Sequence, residues 1–509
     1  MLKTCWIALF LSVPFSLTQT PEPQKPAEAQ PPSTTTFKSQ TDLVLLPVVV
    51  RGQHGKYLTG LGKDLFHVKE NGKEQVITLF EEVHAANDNP PPPLALDGGY
   101  SNIPFDTTSQ IRPTILVLDL LNTTLLQRSD GKEQLAKFLS KGLARNQPVS
   151  LLCLTIKGVQ LVSPLTTDAN AVIKALKSVP IGAETITSRR DVAETTLRQL
   201  RDIARSYSGI TGRKIMILAA GNIPELKTER TLLPSSLLAD DIRQMWKSIL
   251  DANISVYPFE IMDWSRNPAL GGRSNRRVDI TLRQFSDSTG GNLCVESNDL
   301  MGCLADAEED SRSYYMLGFS VQPDDRKPGW RDLDVKVSVE HASVHARDGF
   351  YYGAPLPDDS QSVHEAEVNA LASPLAYSGV PMYVKVLSSP PAAPVDPAAA
   401  SSGNSGKKTI EFLVIIPISG IKIDPTKSNS LDVDVGAIAL THDMREAAEF
   451  SHPVRGNPKP DEVQKLSQEG IRLREKLELP PGFYSIRFFA RDNDTGQIGT
   501  IVFPLEVKD

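Results

Sequence analysis

Residues 114–123 read Thr-Ile-Leu-Val-Leu-Asp-Leu-Leu-Asn-Thr, an apolar run from Ile115 to Leu118 that stops on Asp119. Strands that face solvent on one side alternate polar and apolar residues. A run without alternation implies a strand buried on both faces. The same pattern returns at 149–156 (VSLLCLTI), 214–219 (KIMILA), 254–259 (ISVYPF) and 292–295 (NLCV), each followed by a helical pattern. Short apolar strands alternating with amphipathic helices predict a doubly wound, mostly parallel α/β sheet. Two helices are marked directly. Asp130 with Glu133 reads as a capping box opening a helix to about Lys141. Ala193, Leu197, Leu200, Ala204 and Tyr207 recur at helical spacing over 191–207.

On either side of this α/β region the period changes to two. Upstream, 41–51 (TDLVLLPVVVR), 65–69 and 76–80 read as strands, with Asn71-Gly72 as a turn that tolerates positive φ. This predicts a small β module over 37–84. Downstream, Tyr314–Phe319 and Leu333–Val339 are strands closing the α/β domain, which is expected to span 111–353. The stretches 410–416, 431–440, 471–479, 484–491 and 499–507 then predict a β-sandwich over 365–509, of immunoglobulin-like or fibronectin-like type. Proline marks the joints: a leader at 19–36, a connector at 85–110 containing Pro90–Pro93, a linker at 354–364 and a loop at 388–406.

The chain has 509 residues and a net charge of −7, with 40% hydrophobic and 23% charged residues. Those fractions exclude a mainly disordered chain, and four Cys are too few for a disulfide scaffold. The acidic balance excludes a nucleic-acid partner, which needs a concentrated Lys/Arg face. The cluster Arg273, Arg276, Arg277 and Arg283 is a modest positive patch that suits solubility or contact with an anionic partner. One early Lys, an apolar run from Cys5 to Phe15 and small residues at Ser16 and Thr18 form a secretory signal over 1–18. A secreted or periplasmic protein without a transmembrane segment is therefore expected. In an oxidising compartment Cys294 and Cys303 are the natural pair, and Cys153 is a core thiol; the alternative is three unpaired small hydrophobes.

Ligands of open parallel sheets bind beyond the carboxyl ends of the strands, which directs attention to Asp119-Leu120-Leu121-Asn122-Thr123. No Gly-rich dinucleotide or phosphate motif follows. The segment resembles the Asp-x-Ser-x-Ser metal motif of von Willebrand factor A (VWA) domains. The resemblance extends over about 37–353 to the VWFA-related acidobacterial domain proteins. It is carried by Leu61, Asp64, Phe66, Asn71-Gly72 and Ile77–Phe80, by Asp310–Phe319, and by the closing Arg347-Asp348-Gly349-Phe350-Tyr351. The run Leu479–Arg487 is also similar to the tail domain of longer members.

The resemblance implies an adhesion or scaffold fold in which Mg²⁺ or Ca²⁺ bridges to a partner carboxylate. Asp119 matches the first ligand and Thr123 the second hydroxyl, while Asn122 brings an oxygen out of phase. Thr187, in the loop 184–188, stands where the family's metal threonine is expected. Leu121 occupies a serine position, and Ala220-Gly221 replaces the later acidic residue, so the site is degenerate and no cofactor is expected. The alternative reading of Asp119 is a strand-end carboxylate capping backbone amides. His341 and His345 lie on a strand pattern and carry no zinc motif. Paired carboxylates such as Asp324-Asp325 and Glu308-Glu309-Asp310 read as solvated loops and helix faces, and no activated nucleophile is visible. The expectation is a non-enzymatic protein that binds a protein or cell-surface polymer. A divalent-metal-dependent adhesin using Asp119 and Thr123 is the alternative, and an extracytoplasmic hydrolase comes third.

Overall fold

The first described element is β1 (Leu43–Arg51), in which Val44, Leu46, Val48 and Val50 point inward while Leu43 and Leu45 stay exposed. The computed structural model describes residues 43–508 except 54, 85–97, 104–111, 142–146, 183–188, 211, 222, 224–237, 262–275, 295–299, 322–328, 353–359, 388–405 and 424–428. The expected signal, the leader, Pro90–Pro93 and the loop holding Thr187 lie outside the described residues. β2 (Phe66–Glu70) and β3 (Lys73–Glu74) meet at Asn71-Gly72, both at positive φ, and β4 (Ile77–His84) follows. Within the expected connector, β5 (Gly99–Ser101) is a short strand.

The α/β region comes next. Its elements are β6 (Thr114–Asp119), α1 (Leu125–Lys141), β7 (Val149–Thr155), β8 (Gly158–Thr166), α2 (Ala169–Ser178), α3 (Arg189–Ser206), β9 (Lys214–Ala220), α4 (Ala239–Asp251), β10 (Ile254–Glu260), α5 (Arg276–Thr289) and α6 (Leu300–Arg312). The sheet order is β10-β9-β6-β7-β8, parallel except for the β7–β8 hairpin. That hairpin corrects the expectation that a helix follows every strand. Gly158, at φ 110°, makes the turn. Of the expected strand 292–295, the described residues 292–294 contribute a single parallel bridge, Phe259 to Cys294. Alternate residues of β6 serve opposite faces. Ile115 and Val117 pack with Leu197, Trp246 and Phe285 of α3–α5, and Leu116 and Leu118 with Phe138, Val172 and Leu304 of α1, α2 and α6. Burial on both faces is why the sequence there shows no alternation.

After α6 the chain returns to the first strands. β11 (Ser313–Ser320) inserts between β1 and β4, β12 (Gly329–Val337) pairs with β2, β13 (Ser343–His345) with β1, and β14 (Gly349–Tyr352) with β12. The resulting sheets, β13-β1-β11-β4 and β14-β12-β2-β3, enclose one cluster that includes Leu46, Val48, Phe66, Tyr315, Phe319 and Phe350. Strands 43–84 are thus half of a structure completed by 313–352, with the α/β region inserted between the halves. This differs from the expected self-contained module over 37–84. Pairing between such distant segments leaves no local signal.

The C-terminal part contains α7 (Ser360–Ala372), β15 (Tyr383–Leu387), β16 (Lys408–Ile416), β17 (Leu431–Thr441), β18 (Glu446–Gly456), α8 (Pro460–Glu469), β19 (Ile471–Leu479), β20 (Gly482–Asp492) and β21 (Ile498–Val507). Two antiparallel sheets, β19-β16-β15-β5 and β18-β17-β20-β21, share a core around Val384, Phe412, Val435, Phe488 and Phe503. β5 supplies one edge. Asn102 beside it donates to the carbonyls of Tyr377 and Val380 at 2.7 and 2.8 Å and accepts from the Met382 amide at 2.8 Å. The same 377–380 segment holds the α/β region: the Ser378 hydroxyl donates to Ser206 O at 2.8 Å and accepts from the Gly209 amide at 2.9 Å.

Candidate functional site

The chain runs outward from β6 through β7 to β8, then crosses back to β9, so β6 and β9 are the neighbours at which the winding reverses. A ligand crevice of such a sheet opens beyond the carboxyl ends of these two strands. They end on Asp119 and Ala220. The loop from Leu120 leads into α1, whose start is set by Thr124 and Gln127 in place of the expected Asp130. The Gln127 amide donates to Thr124 Oγ1 at 3.3 Å, and the Gln127 side-chain oxygen accepts from the Thr124 amide at 2.9 Å. This is a reciprocal capping box, and it places Asp130 inside the helix.

Asp119 is fully buried, and both carboxylate oxygens are occupied by donors. Oδ1 accepts from the amides of Leu121 and Asn122 at 2.8 and 3.0 Å, and Oδ2 accepts from Asn122 Nδ2 at 2.7 Å. Burial raises the Asp119 pKa, opposed by the Asn122 and Leu121 bonds and by the Arg128 guanidinium. Asn122 Nδ2 also reaches Thr196 Oγ1 at 3.1 Å, fastening the loop to α3. The Thr123 hydroxyl donates to the Asp119 carbonyl. Arg128 closes the side of the loop, donating to Leu120 O at 2.5 Å and Gly182 O at 2.9 Å.

Among the described residues, the positions expected to hold a divalent cation do not fit one. A hard cation is coordinated by oxygen, whereas here the carboxylate faces two backbone N–H groups, an amide nitrogen and a nearby guanidinium. Leu121 offers no ligand atom. At the position of the missing acidic residue, a Cβ added to Gly221 would meet Asn122 O at 2.8 Å and Gln127 Nε2 at 2.9 Å. Gln127, which donates to Ile261 O at 2.7 Å, fills the space that a longer side chain would need. Among the described residues no group of three or more His, Cys, Asp or Glu stands together for a metal. Thr187 lies outside them.

Asp119, Asn122 and Thr123 stand together in one hydrogen-bonded loop. It adds Arg128, Gln127 and Thr196, which the sequence reading did not single out. Gln127 was detectable as the fourth residue of Thr-x-x-Gln. Arg128 and Thr196 required the packing of α1 and α3 against the loop. Cys294 and Cys303 are disulfide-bonded, with Cα atoms 5.8 Å apart, and Cys153 is a buried free thiol. Asp310, expected on a solvated helix face, is instead buried: it accepts from Arg51 Nε at 3.0 Å and from the Tyr257 hydroxyl at 2.7 Å. Asp324, Asp325 and Arg273 lie outside the described residues, and among those residues no helix is long and apolar enough to cross a membrane.

No protein-family model matches the chain, and no curated protein does. Several solved structures are similar. An aerotolerance-related membrane protein from Bacteroides fragilis carrying multiple mutations to serine is 14% identical over 39% of this chain and 98% of its own, with a TM-score of 0.25. The VWA domain of SpRpn10 is 13% identical over 38% of this chain and 93% of its own, with a TM-score of 0.19. The pilus adhesin SpaC from Lactobacillus rhamnosus GG, in an open conformation, is 10% identical over 84% of this chain and 69% of its own, with a TM-score of 0.26.

Proposed function

We propose that this chain is an exported, non-catalytic binding or scaffold protein whose VWA-like α/β region engages a protein or cell-surface polymer without a bridging metal. The C-terminal sheets are read as an immunoglobulin-like or fibronectin-like sandwich that supports this region. The observation that carries the proposal is the closed Asp119 site: each carboxylate oxygen already has a protein donor, and Gln127 fills the space beside Gly221. Export is supported by the signal-like residues 1–18 and by the Cys294–Cys303 bond, which belongs to an oxidising compartment.

The test is a binding screen of the purified protein against extracellular proteins and polysaccharides, run with Mg²⁺ or Ca²⁺ and with EDTA. A ligand retained in EDTA is the expected outcome. Cation at about 1–10 mM should leave the melting temperature unchanged, because only a ligand bound preferentially to the native state raises it. A cation-dependent rise that Asp119→Ala removes would establish the metal-dependent adhesin instead. Hydrolytic turnover of an ester, glycoside or peptide panel with no ligand found would overturn the non-catalytic reading.

A further inference from the structure

Away from Asp119, a cleft of about 360 Å³ opens between the last turns of α3 and the length of α4 on one side and α7 with the β20–β21 turn on the other. That volume falls within the range of small-molecule sites, about 300–1,000 Å³. Four cationic side chains line it: Arg201, Arg205, Lys247 and Arg491. Three carboxylates share the lining, and two already have partners on their own helices. Asp251 is paired with Lys247, and Glu365 accepts from Gln361 at 3.1 Å. Asp241 is the third, and it is attracted to Arg201.

Of the two arginines one helical turn apart on α3, Arg201 is incompletely satisfied. Arg201 donates through Nη1 to Gln244 at 2.7 Å, its Nε lies 3.6 Å from Asp202, and that buried Nε makes no hydrogen bond. The Arg205 guanidinium lies against the Tyr377 hydroxyl, which donates to Asp202 at 2.9 Å, and the Asp202 carboxylate attracts it. A guanidinium carries five N–H donors, and withdrawing it from water is costly unless an anion compensates it. Burial, and after it the repulsion of Arg201, lowers the Arg205 pKa against the opposing pull of Tyr377 and Asp202. Around the pair stand Ser208, Asn369, Thr495 and Gln497, neutral groups suited to hydroxyls. Among the described residues no aromatic ring lines the cleft, which disfavours flat apolar ligands.

We propose that this cleft is a second binding site, independent of the Asp119 end, which takes the carboxylate of a sugar acid on Arg201 and Arg205 and its hydroxyls on the surrounding amides and hydroxyls. The oxyanion would add acceptors to the two guanidinium groups beyond Gln244, Tyr377 and Asp202. Binding would also bridge the α/β region and the C-terminal sheets.

Calorimetric titration of the full chain with D-glucuronate, with inorganic sulfate and with D-glucose tests this. Glucuronate is expected to bind at millimolar concentration or below, with glucose giving no heat. Arg205→Gln and Arg201→Gln should each weaken glucuronate binding about tenfold or more, the loss of a charge-assisted hydrogen bond. Lys247→Glu, at a side chain 31% exposed on the rim, alters the cleft's charge without touching the core and should weaken binding in the same direction. Asp119→Ala should leave the affinity unchanged. No heat with glucuronate, equal binding of glucose, or unchanged affinity in Arg205→Gln together with Lys247→Glu would overturn the proposal. Sulfate binding as tightly as glucuronate would overturn the sugar-acid assignment in favour of a bare oxyanion site.

Discussion

Lys214 opens β9 with its ammonium inside the protein, held by the carbonyls of Ile210 at 2.6 Å and Gly212 at 3.0 Å. Desolvation lowers its pKa from the ordinary 10.5 to about 7. Between these values the unfolded chain holds a proton that the native protein has released, so stability rises with pH across that window. Below it, the native state bears the full cost of a buried charge. Urea midpoints of the natural protein and Lys214→Met, compared at about pH 6 and about pH 9, should show the natural protein gaining on the variant at the higher pH. Parallel profiles would mean that the two carbonyls keep the amine charged throughout. Burial, opposed by the Lys132 charge and aided by Asp119, pushes the Cys153 thiol up to about 12, so little thiolate is present at neutral pH. Iodoacetamide should leave it unmodified in the native protein and label it in urea, as read by peptide mapping.

Local rules account for much of the secondary structure and fail where two elements compete for one stretch. Asp130 and Glu133 have capping-box spacing, yet Thr124 and Gln127 open the helix because their reciprocal bonds are made where β6 releases the chain. Gln127 also satisfies the Ile261 carbonyl. Gln127→Ala should therefore cost about 1–3 kcal/mol of unfolding free energy, more than a surface cap, because a buried carbonyl loses its donor. Chemical denaturation reads this directly, and a cost of only a few tenths would show that water replaces the amide. Gly209 marks the other element-level constraint. A Cβ there would collide with the Ser378 backbone carbonyl, so Gly209→Ala should force α3 and the 377–380 segment apart. A loss of about 1–3 kcal/mol is expected, as for overpacked cores.

Across the whole chain, the long-range pairings make three regions interdependent. Arg51 of β1 and Asp310 of α6 are 259 residues apart in sequence and buried together, with Tyr257 of β10 as a third partner. Removing one partner of a buried pair typically costs about 3–5 kcal/mol, an upper bound here because Arg51 keeps the more exposed Asp306 at 3.0 Å. Asp310→Asn should lose stability on that order, and Arg51→Met with Asp310→Leu together should recover part of it. Additive losses in that double-mutant cycle would show that the two side chains do not act as a pair. Residues 43–84, expressed alone, should be unfolded by circular dichroism. Leu46, Val48, Phe66 and Val68 pack on Tyr315, Leu317 and Phe319, and each fully buried side chain of this kind contributes about 1.5–3 kcal/mol.

What could be read from the residues was whatever a short window encodes: the doubly buried strands of the α/β sheet, the sandwich strands, the Asn71-Gly72 turn, and Asp119 at a strand end. Hydrophobic period and turn chemistry are local, and they survive without knowledge of the partner. The joining of 43–84 to 313–352, the recruitment of Gly99–Ser101 as an edge strand, and the burial of Asp310 were not legible. Each depends on which distant segment supplies the missing hydrogen bonds and apolar contacts. The Asp119 site divides the same way. Its carboxylate and the departures at Leu121 and Gly221 stand in the sequence. That its oxygens are turned to N–H donors, with Gln127 in the vacated space, follows from how α1 and α3 pack over the loop.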